Sequence, residues 1–450
     1  MKVVTKHNKK EILILGLGIT GQSILKFLRK QNIDIFIWDD LINLKKNNLK
    51  NLNIYNPSKK KISDFSQIFV SPGFKKSHVL IKKAVEKKIN LSNDIELFWE
   101  QKVNENIYSR VIGITGTNGK STIALLIANV LDTIPLGNYG NPVLDNLRKK
   151  NKDYVIELSS FQLEYINKFK PKVSIISNIE IDHLNHHKTF KNYLKAKFNI
   201  IKNQNKDNYL IINNDDKNIR DFLIRKNRNN VNIIKVSNKK YLKDGIIYKN
   251  STIYDNFITF KKYKIKQNTF LKLTHNQLNY TIAFAALLAL KINPLKIIKV
   301  LNKFKGLPHR LEFIGSIKKV NFYNDSKATN VAATCSAINS FKKVILIAGG
   351  SDKGESFNEL KKYKNIIIEA FLIGENANKI QKNLNKLCLN RVCNNLSEAV
   401  EKSYIKSLSS GNYYPVIFSP ASASFDKYKN FEDRGNHFKK IFKDIKRKVA

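Results

Sequence analysis

At 450 residues the chain exceeds one ordinary domain, and roughly two to four domains are expected. A hydrophobic fraction of 42% is enough for buried cores, but the longest apolar run, "TIAFAALLAL" (281–290), falls short of the ~18 residues that span a bilayer. The net charge of +44 comes from lysines spread along the whole chain, with no basic arm and no stripe of stacking aromatics; it reads as solvated surface with some attraction for small anionic substrates rather than as a nucleic-acid groove.

In chain order, "EILILG" (11–16) reads as a buried strand followed by a helix from about Gln22 to Lys30. "IDIFIWDD" (33–40) and "SQIFVSPG" (66–73) read as further strands, and "HVLIKKAVEKK" (78–88) as a helix. Polar "EQKVNENIYSR" (100–110) reads as a linker. The pattern restarts with strand "VIGIT" (111–115), a glycine loop and a helix, then strands "DYVIEL" (153–158), "KVSIISN" (172–178) and "NYLIIN" (208–213). Residues 231–272 suggest a small antiparallel addition, and two helices follow, in 276–291 and 293–304. A second linker, "KGLPHRLEF" (305–313), precedes strands at 320–325, 343–350, 366–374 and 414–420. Strands alternating with helices predict parallel α/β sheets. The expected fold is α/β with three domains in series: a Rossmann-like N-terminal domain (1–105), a central P-loop ATPase-type domain (106–307) and a Rossmann-like C-terminal domain (308–450). Cys335, Cys388 and Cys393 fit no disulfide framework or metal spacing and read as free thiols of a reducing cytoplasm. The basic N-terminus lacks the apolar stretch of a signal peptide.

Two glycine loops carry the chemistry. "GLGITG" places Gly16, Gly18 and Gly21 between a strand and a helix, with Asp39 and Asp40 ending the next strand. This is the context of a dinucleotide fingerprint. Its physical content is a backbone that can approach a diphosphate and a helix N-terminus that faces it. A nicotinamide cofactor and a UDP-sugar both satisfy that description. The second loop, "TGTNGKST" (115–122), ends as a Walker A loop does, although its early glycines fall at 113 and 116. Backbone N–H groups between Thr117 and Lys120 can wrap phosphate oxygens, Lys120 can reach the β- and γ-phosphates, and Ser121 or Thr122 can ligate Mg²⁺. Glu157 at one strand end, and Asp182 with His183 at another, supply candidate metal ligands. His186 and His187 read as solvated.

"GTNGKST", "ELSSFQLE", "DHL" with "KAKFNI", "THNQLN", "LPHRLE", "NDSKATN" and "SPASASFDKYKNFEDRGNHF" occur in this order across the chain. Together they resemble the Mur ligase family. "DNPR"-like and "DYAHTP"-like motifs, which mark the members adding diaminopimelate or L-lysine, are absent. The resemblance implies ATP-driven addition of D-glutamate to UDP-N-acetylmuramoyl-L-alanine through an acyl phosphate, in peptidoglycan synthesis. It implies ATP and two Mg²⁺ ions, the second held through a carbamylated Lys197, as cofactors, small-molecule substrates as the partners, and a monomeric cytoplasmic enzyme.

By resemblance, Gly116, Thr117, Asn118, Gly119, Lys120, Ser121 and Thr122 cradle ATP, Asn276 and Asn279 sit by adenine, and Arg310 and Asp325 serve its phosphates and ribose. Gly18, Ile19, Thr20, Asp39, Asp40, Gly73 and Asn138 contact the UDP-substrate. Thr329, Lys353, Ser424 and Phe431 form the D-glutamate pocket. Ser121, Glu157, His183 and a carbamylated Lys197 hold metal, and Lys120, His183, Lys197, His309 and Lys327 are catalytic. Residues of the third segment are expected to complete the ATP site. This sequence departs from the family pattern at Ser351, Ser422 and Asp40. Three other readings stay open: a ligase adding another amino acid, an NAD-linked oxidoreductase built on "GLGITG", and a P-loop nucleic-acid protein.

Overall fold

The computed structural model describes residues 11–31, 33–40, 52–147, 153–226, 231–268, 270–352, 354, 356–385 and 387–449. The N-terminal sheet contains β1 (Glu11–Leu15), β2 (Asp34–Trp38), β3 (Asn53–Ile54), β4 (Gln67–Val70) and β5 (Asn90–Ser92). Its order is β3-β2-β1-β4-β5 and every pair is parallel. Residues Ile12 to Leu15 of β1 are wholly buried, as expected of a strand covered on both faces. Helices α1 (Ile19–Leu28), α2 (Val79–Glu86) and α3 (Asp94–Asn104) accompany this sheet. Strand order reverses between β1 and β4, the place where doubly wound sheets open a ligand crevice.

Helix α1 starts three residues earlier than the sequence suggested, immediately after Gly18. Gly21 lies so close to the preceding strand end that a Cβ there would sit 1.8 Å from the Gly16 carbonyl oxygen. That oxygen already accepts from Ser71 Oγ at 2.8 Å. Gly21→Ala must therefore push α1 off β1. We expect a loss of about 2–3 kcal/mol, read as a lower urea midpoint, together with weaker binding in the crevice.

The expected linker at 100–110 is half helix. Asn93 caps α3 by accepting from Glu96 N at 3.0 Å, and α3 runs to Asn104. Glu96 in turn accepts from the backbone N–H groups of Asn167 (2.9 Å), Lys168 (2.6 Å) and Phe169 (3.2 Å). Asn93 Nδ2 donates to Gln162 O at 2.7 Å. Asn93 and Glu96, just ahead of the expected linker, are thus part of the seam to the next sheet.

That sheet has nine strands: β6 (Val111–Thr115), β7 (Pro135–Gly137), β8 (Tyr154–Glu157), β9 (Val173–Ile176), β10 (Tyr209–Asn213), β11 (Asn232–Ser237), β12 (Gly245–Lys249), β13 (Thr252–Asp255) and β14 (Lys262–Lys264). The order is β14-β13-β12-β11-β10-β9-β6-β8-β7. Pairing is parallel from β7 to β12, and β13 and β14 extend the edge antiparallel. Its helices are α4 (Lys120–Val130), α5 (Ser160–Leu163), α6 (Leu184–His187), α7 (Phe190–Phe198), α8 (Lys217–Lys226), α9 (Thr274–Ala289) and α10 (Pro294–Leu301). One hydrophobic cluster runs from Ile12, Ile24 and Phe98 through Tyr154 and Ile156 to Phe198. The first two sheets accordingly belong to one compact unit, the described residues of Met1–Lys266 with Gln277–Lys303.

The other unit comprises Gln267–Asn276 and Phe304–Ala450. Its sheet contains β15 (Glu312–Ile317), β16 (Val320–Asn324), β17 (Val344–Gly349), β18 (Ile367–Ile373), β19 (Leu389–Val392) and β20 (Val416–Phe418), ordered β15-β16-β20-β17-β18-β19. Only β15 is antiparallel to its neighbour. Helices α11 (Val331–Ile338), α12 (Ala377–Leu384), α13 (Leu396–Ser409) and α14 (Phe431–Val449) complete it. Phe438, Ile441, Phe442 and Ile445 form the buried stripe of α14 at helical spacing.

Arg434 joins the two most distinctive sequence blocks of this unit. It is 1% exposed, and its guanidinium donates to Ser326 O (2.9 Å), Ser422 O (3.0 Å), Ala423 O (2.9 Å) and Ser326 Oγ (3.1 Å). Burial lowers its pKa to about 10, so it stays a cation at neutral pH. Arg434→Met keeps much of the volume but strands these acceptors. We expect a loss of about 3–5 kcal/mol, measured as a lower thermal midpoint.

Candidate active site

The first loop and the second loop lie in the same unit, joined by a chain of side chains. At the first loop, Gly16 has φ +90°, and Leu17 N donates to Asp39 Oδ2 at 2.7 Å. A cleft of about 530 Å³ opens there, within the usual range for small-ligand pockets. Gly18, Ile19, Thr20, Asp39, Asp40, Gly73 and Asn138 all line it. Asp40 is held by two residues that sequence reasoning passed over. Trp38 Nε1 donates to its Oδ1 at 3.0 Å, and His78 Nε2 lies 3.2 Å from the same oxygen. His78 Nδ1 accepts from Leu80 N at 3.2 Å, which puts a proton on Nε2, facing Asp40.

The far end of the cleft meets the second loop. Asn138 Nδ2 donates to Glu157 Oε1 at 2.9 Å, and Ser121 Oγ donates to Glu157 Oε2 at 2.7 Å. Glu157 ends β8 beside β6 and is 3% exposed. Ser121 and Thr122 belong to the first turn of α4 and are buried. Gly119 has φ +81°, and a Cβ there would meet Asn279 Oδ1 at 2.6 Å. This seats Asn279 against the loop. Asn276 Nδ2 donates to Phe270 O at 3.1 Å within the other unit.

The second loop is braced from the end of β9. Asn178 Oδ1 accepts from Thr117 N (3.1 Å) and Asn118 N (2.7 Å). Those two N–H groups brace the loop. Asn118 Nδ2 donates to Glu180 Oε2 at 3.1 Å. Neither Asn178 nor Glu180 stood out in "NIEIDHLNHH", although Asn178 follows a strand end, where a loop brace is needed.

Lys120 Nζ donates to Gly116 O (3.0 Å) and Thr117 O (2.8 Å), while Lys197 Nζ reaches the same Gly116 O at 2.7 Å. Lys197, on α7, is 2% exposed. Burial above all, and the Lys120 charge next, hold its pKa well below the ordinary lysine range, against the opposing pull of Asp182 and Glu157. His183 has φ +51° and sits 3.5 Å from Asp182 Oδ2 through Nε2. Burial lowers its pKa, Asp182 works the other way, and Lys197 and Lys120 add to the lowering.

The expectation for His186 and His187 is corrected. His187 is buried and His186 nearly so, because Phe161 packs against both rings and Glu164 lies beneath them.

In the other unit, His309 is buried with φ +61°, and its Nδ1 is 3.0 Å from Asn324 Nδ2. Its backbone carbonyl accepts from Lys327 N at 3.0 Å. Lys327 Nζ stands 3.6 Å from the Phe431 ring centroid. Asp325 accepts from Leu311 N (3.0 Å) and Ser419 Oγ (2.7 Å), and burial raises its pKa to about 7. The Arg310 charge acts the other way on Asp325. Ser424 is buried and Thr329 half-buried. Lys353 lies outside the described residues.

Comparison with known proteins gives the family. The chain matches the Mur ligase MurD-like N-terminal domain over residues 10–93, the Mur ligase middle domain over 114–287 and the Mur ligase glutamate ligase domain over 309–413. A UDP-N-acetylmuramoylalanine–D-glutamate ligase of Rickettsia bellii (strain RML369-C) is 33% identical over 98% of this chain and 99% of its own. The enzyme of the same name from Clostridioides difficile (strain 630) is 36% identical over 97% and 99%. Among solved structures, a pseudomurein peptide ligase type C from Methanothermus fervidus shares the fold, with a TM-score of 0.57, 19% identity and coverage of 97% and 100%. The chain belongs to the Mur ligase family, a family of ATP-dependent ligases. Among the described residues, no helix is long and apolar enough to cross a membrane.

Proposed function

We propose that this chain joins D-glutamate to UDP-N-acetylmuramoyl-L-alanine at the expense of ATP, in peptidoglycan synthesis. The observation that carries this reading is full-length similarity, at 33–36% identity, to enzymes bearing that name. The terminal carboxylate of the UDP-substrate attacks the γ-phosphorus of ATP and ADP leaves. The amine of D-glutamate then attacks the acyl carbon of the acyl phosphate, and inorganic phosphate departs. Both reactants of the first step are anions, so the site must neutralise charge and fix geometry.

We assign the cleft at the first loop to the UDP-substrate, with its diphosphate at Gly18 and the N-terminus of α1. Asn138, steadied by Glu157, positions the reacting carboxylate. The second loop and Lys120 take the ATP phosphates. Ser121 and Glu157 offer the oxygen donors that suit Mg²⁺, and Mg²⁺ bound there would neutralise phosphate charge. The withdrawn amine of Lys197 is suited to carbamylation, because a neutral amine is the form that attacks carbon dioxide. Its carbamate and His183 would supply a second metal position. Thr329, Lys353, Ser424 and Phe431 are assigned to D-glutamate. Since ATP and UDP-sugars are metabolites of the cytoplasm, we place the enzyme there, with the single three-domain chain as its working unit.

The test is phosphate release with all three substrates, and with each omitted in turn. Release should require all three, and L-lysine or diaminopimelate should not replace D-glutamate. Turnover with either substitute, but not with D-glutamate, would overturn the reading.

A further inference from the structure

The segment that follows β9 carries His183, His186 and His187, and the last two lie against Glu164. His186 Nε2 lies 2.9 Å from Glu164 Oε2, and His187 Nδ1 lies 3.3 Å from Glu164 Oε1. One potential ligand atom from each of the three side chains lies within 4.8 Å of the other two. Side-chain exposure is 0% for His187, 11% for Glu164 and 13% for His186. The cluster is withdrawn from water but open on the His186 side.

A second observation points to a ligand. His187 Nε2 is 2.9 Å from Ser160 Oγ, whereas the buried Nδ1 has no hydrogen-bond partner. Either Nδ1–H faces the Glu164 carboxylate or, when Nε2–H donates to Ser160, the Nδ1 lone pair faces it. In the second tautomer two acceptors are turned towards each other in a buried place, an arrangement that a cation between them relieves. The 2.9 and 3.3 Å separations of the two imidazoles from Glu164 suit that. A tetrahedral ion with bonds of about 2.0 Å separates its ligand atoms by about 3.3 Å.

We propose that Glu164, His186 Nε2 and His187 Nδ1 form a site for a zinc-type divalent cation, with water as the fourth ligand. Two imidazoles and one carboxylate favour a d-block ion such as Zn²⁺ or Co²⁺ over Mg²⁺. Ser160, bonded to His187, orients one ligand from outside the shell. The ion would pin the end of α5 to α6, and so fix the backbone turn that presents His183. Lys76, which donates to Glu164 Oε1 at 3.1 Å, is more than half exposed and can move aside or keep an outer contact.

The experiment uses the full chain, stripped by a chelator and titrated with Co²⁺ alone, without nucleotide. We expect one equivalent to bind with the intense visible absorption of four-coordinate cobalt, and Zn²⁺ to displace it. Glu164→Gln and His186→Asn should each weaken binding about tenfold or more, while His183→Asn keeps the spectrum. Circular dichroism checks that each variant is folded. Zn²⁺ should also raise the thermal midpoint of the unaltered chain but not that of Glu164→Gln. The proposal is overturned if no stoichiometric Co²⁺ binds, if binding survives both substitutions, or if only His183→Asn removes it.

Discussion

Lys120→Ala should lower ATP-dependent phosphate release about a thousandfold or more and leave the affinity for UDP-N-acetylmuramoyl-L-alanine within about threefold of its original value. The reason is spatial. Lys120 opens α4 and directs Nζ into the second loop, towards Gly116 O and Thr117 O. The UDP cleft is built from other parts, the end of β1, the residues after β4 and Asn138. The two meet through Asn138, Glu157 and Ser121. Alanine removes the cation proposed to meet the ATP phosphates without touching the residues lining the cleft. Phosphate release measures the first effect and equilibrium dialysis with the UDP-substrate the second. Loss of both together would refute the assignment of separate roles to the two loops.

What the sequence made legible follows from what each signal depends on. Both glycine loops could be placed because backbone approach demands glycine locally: Gly21 abuts Gly16 O, and Gly119 adopts a left-handed φ. Long apolar strands such as β1, β6 and β17 announce themselves by continuous burial on both faces. Strands β5, β15 and β19 did not. β5 has three residues, β19 exposes most of its side chains, and β15 is half-buried throughout most of its length. Helix α3 hid because its buried polar residues, Asp94, Glu96 and Gln101, look solvated until their tertiary partners are known. Glu96 accepts three backbone N–H groups of a segment about seventy residues further on, and no local pattern predicts that. The same holds for His187. Its burial depends on Phe161 and Glu164, which lie beyond the reach of spacing rules.

Lys197→Ala is expected to be the other variant with a very large effect, again about a thousandfold or more in phosphate release, with activity partly restored by added short-chain carboxylates. An ordinary buried lysine would be a poor choice here, since an ammonium at Nζ would crowd Lys120 at the same carbonyl oxygen. Burial and that neighbour favour the neutral amine. A carbamate changes the sign of the side chain and places negative charge next to Lys120, where the field favours it. Alanine leaves space that a small carboxylate can enter, which is why rescue is expected. Lys197→Arg should not be rescued and should not be active, because a guanidinium stays charged and fills the space. ¹³C spectra after equilibration with labelled bicarbonate supply a readout apart from turnover. The intact chain should show a carbamate carbon that Lys197→Ala lacks. An active Lys197→Arg variant, or the same carbamate signal in Lys197→Ala, would instead assign Lys197 the role of a structural cation holding Gly116.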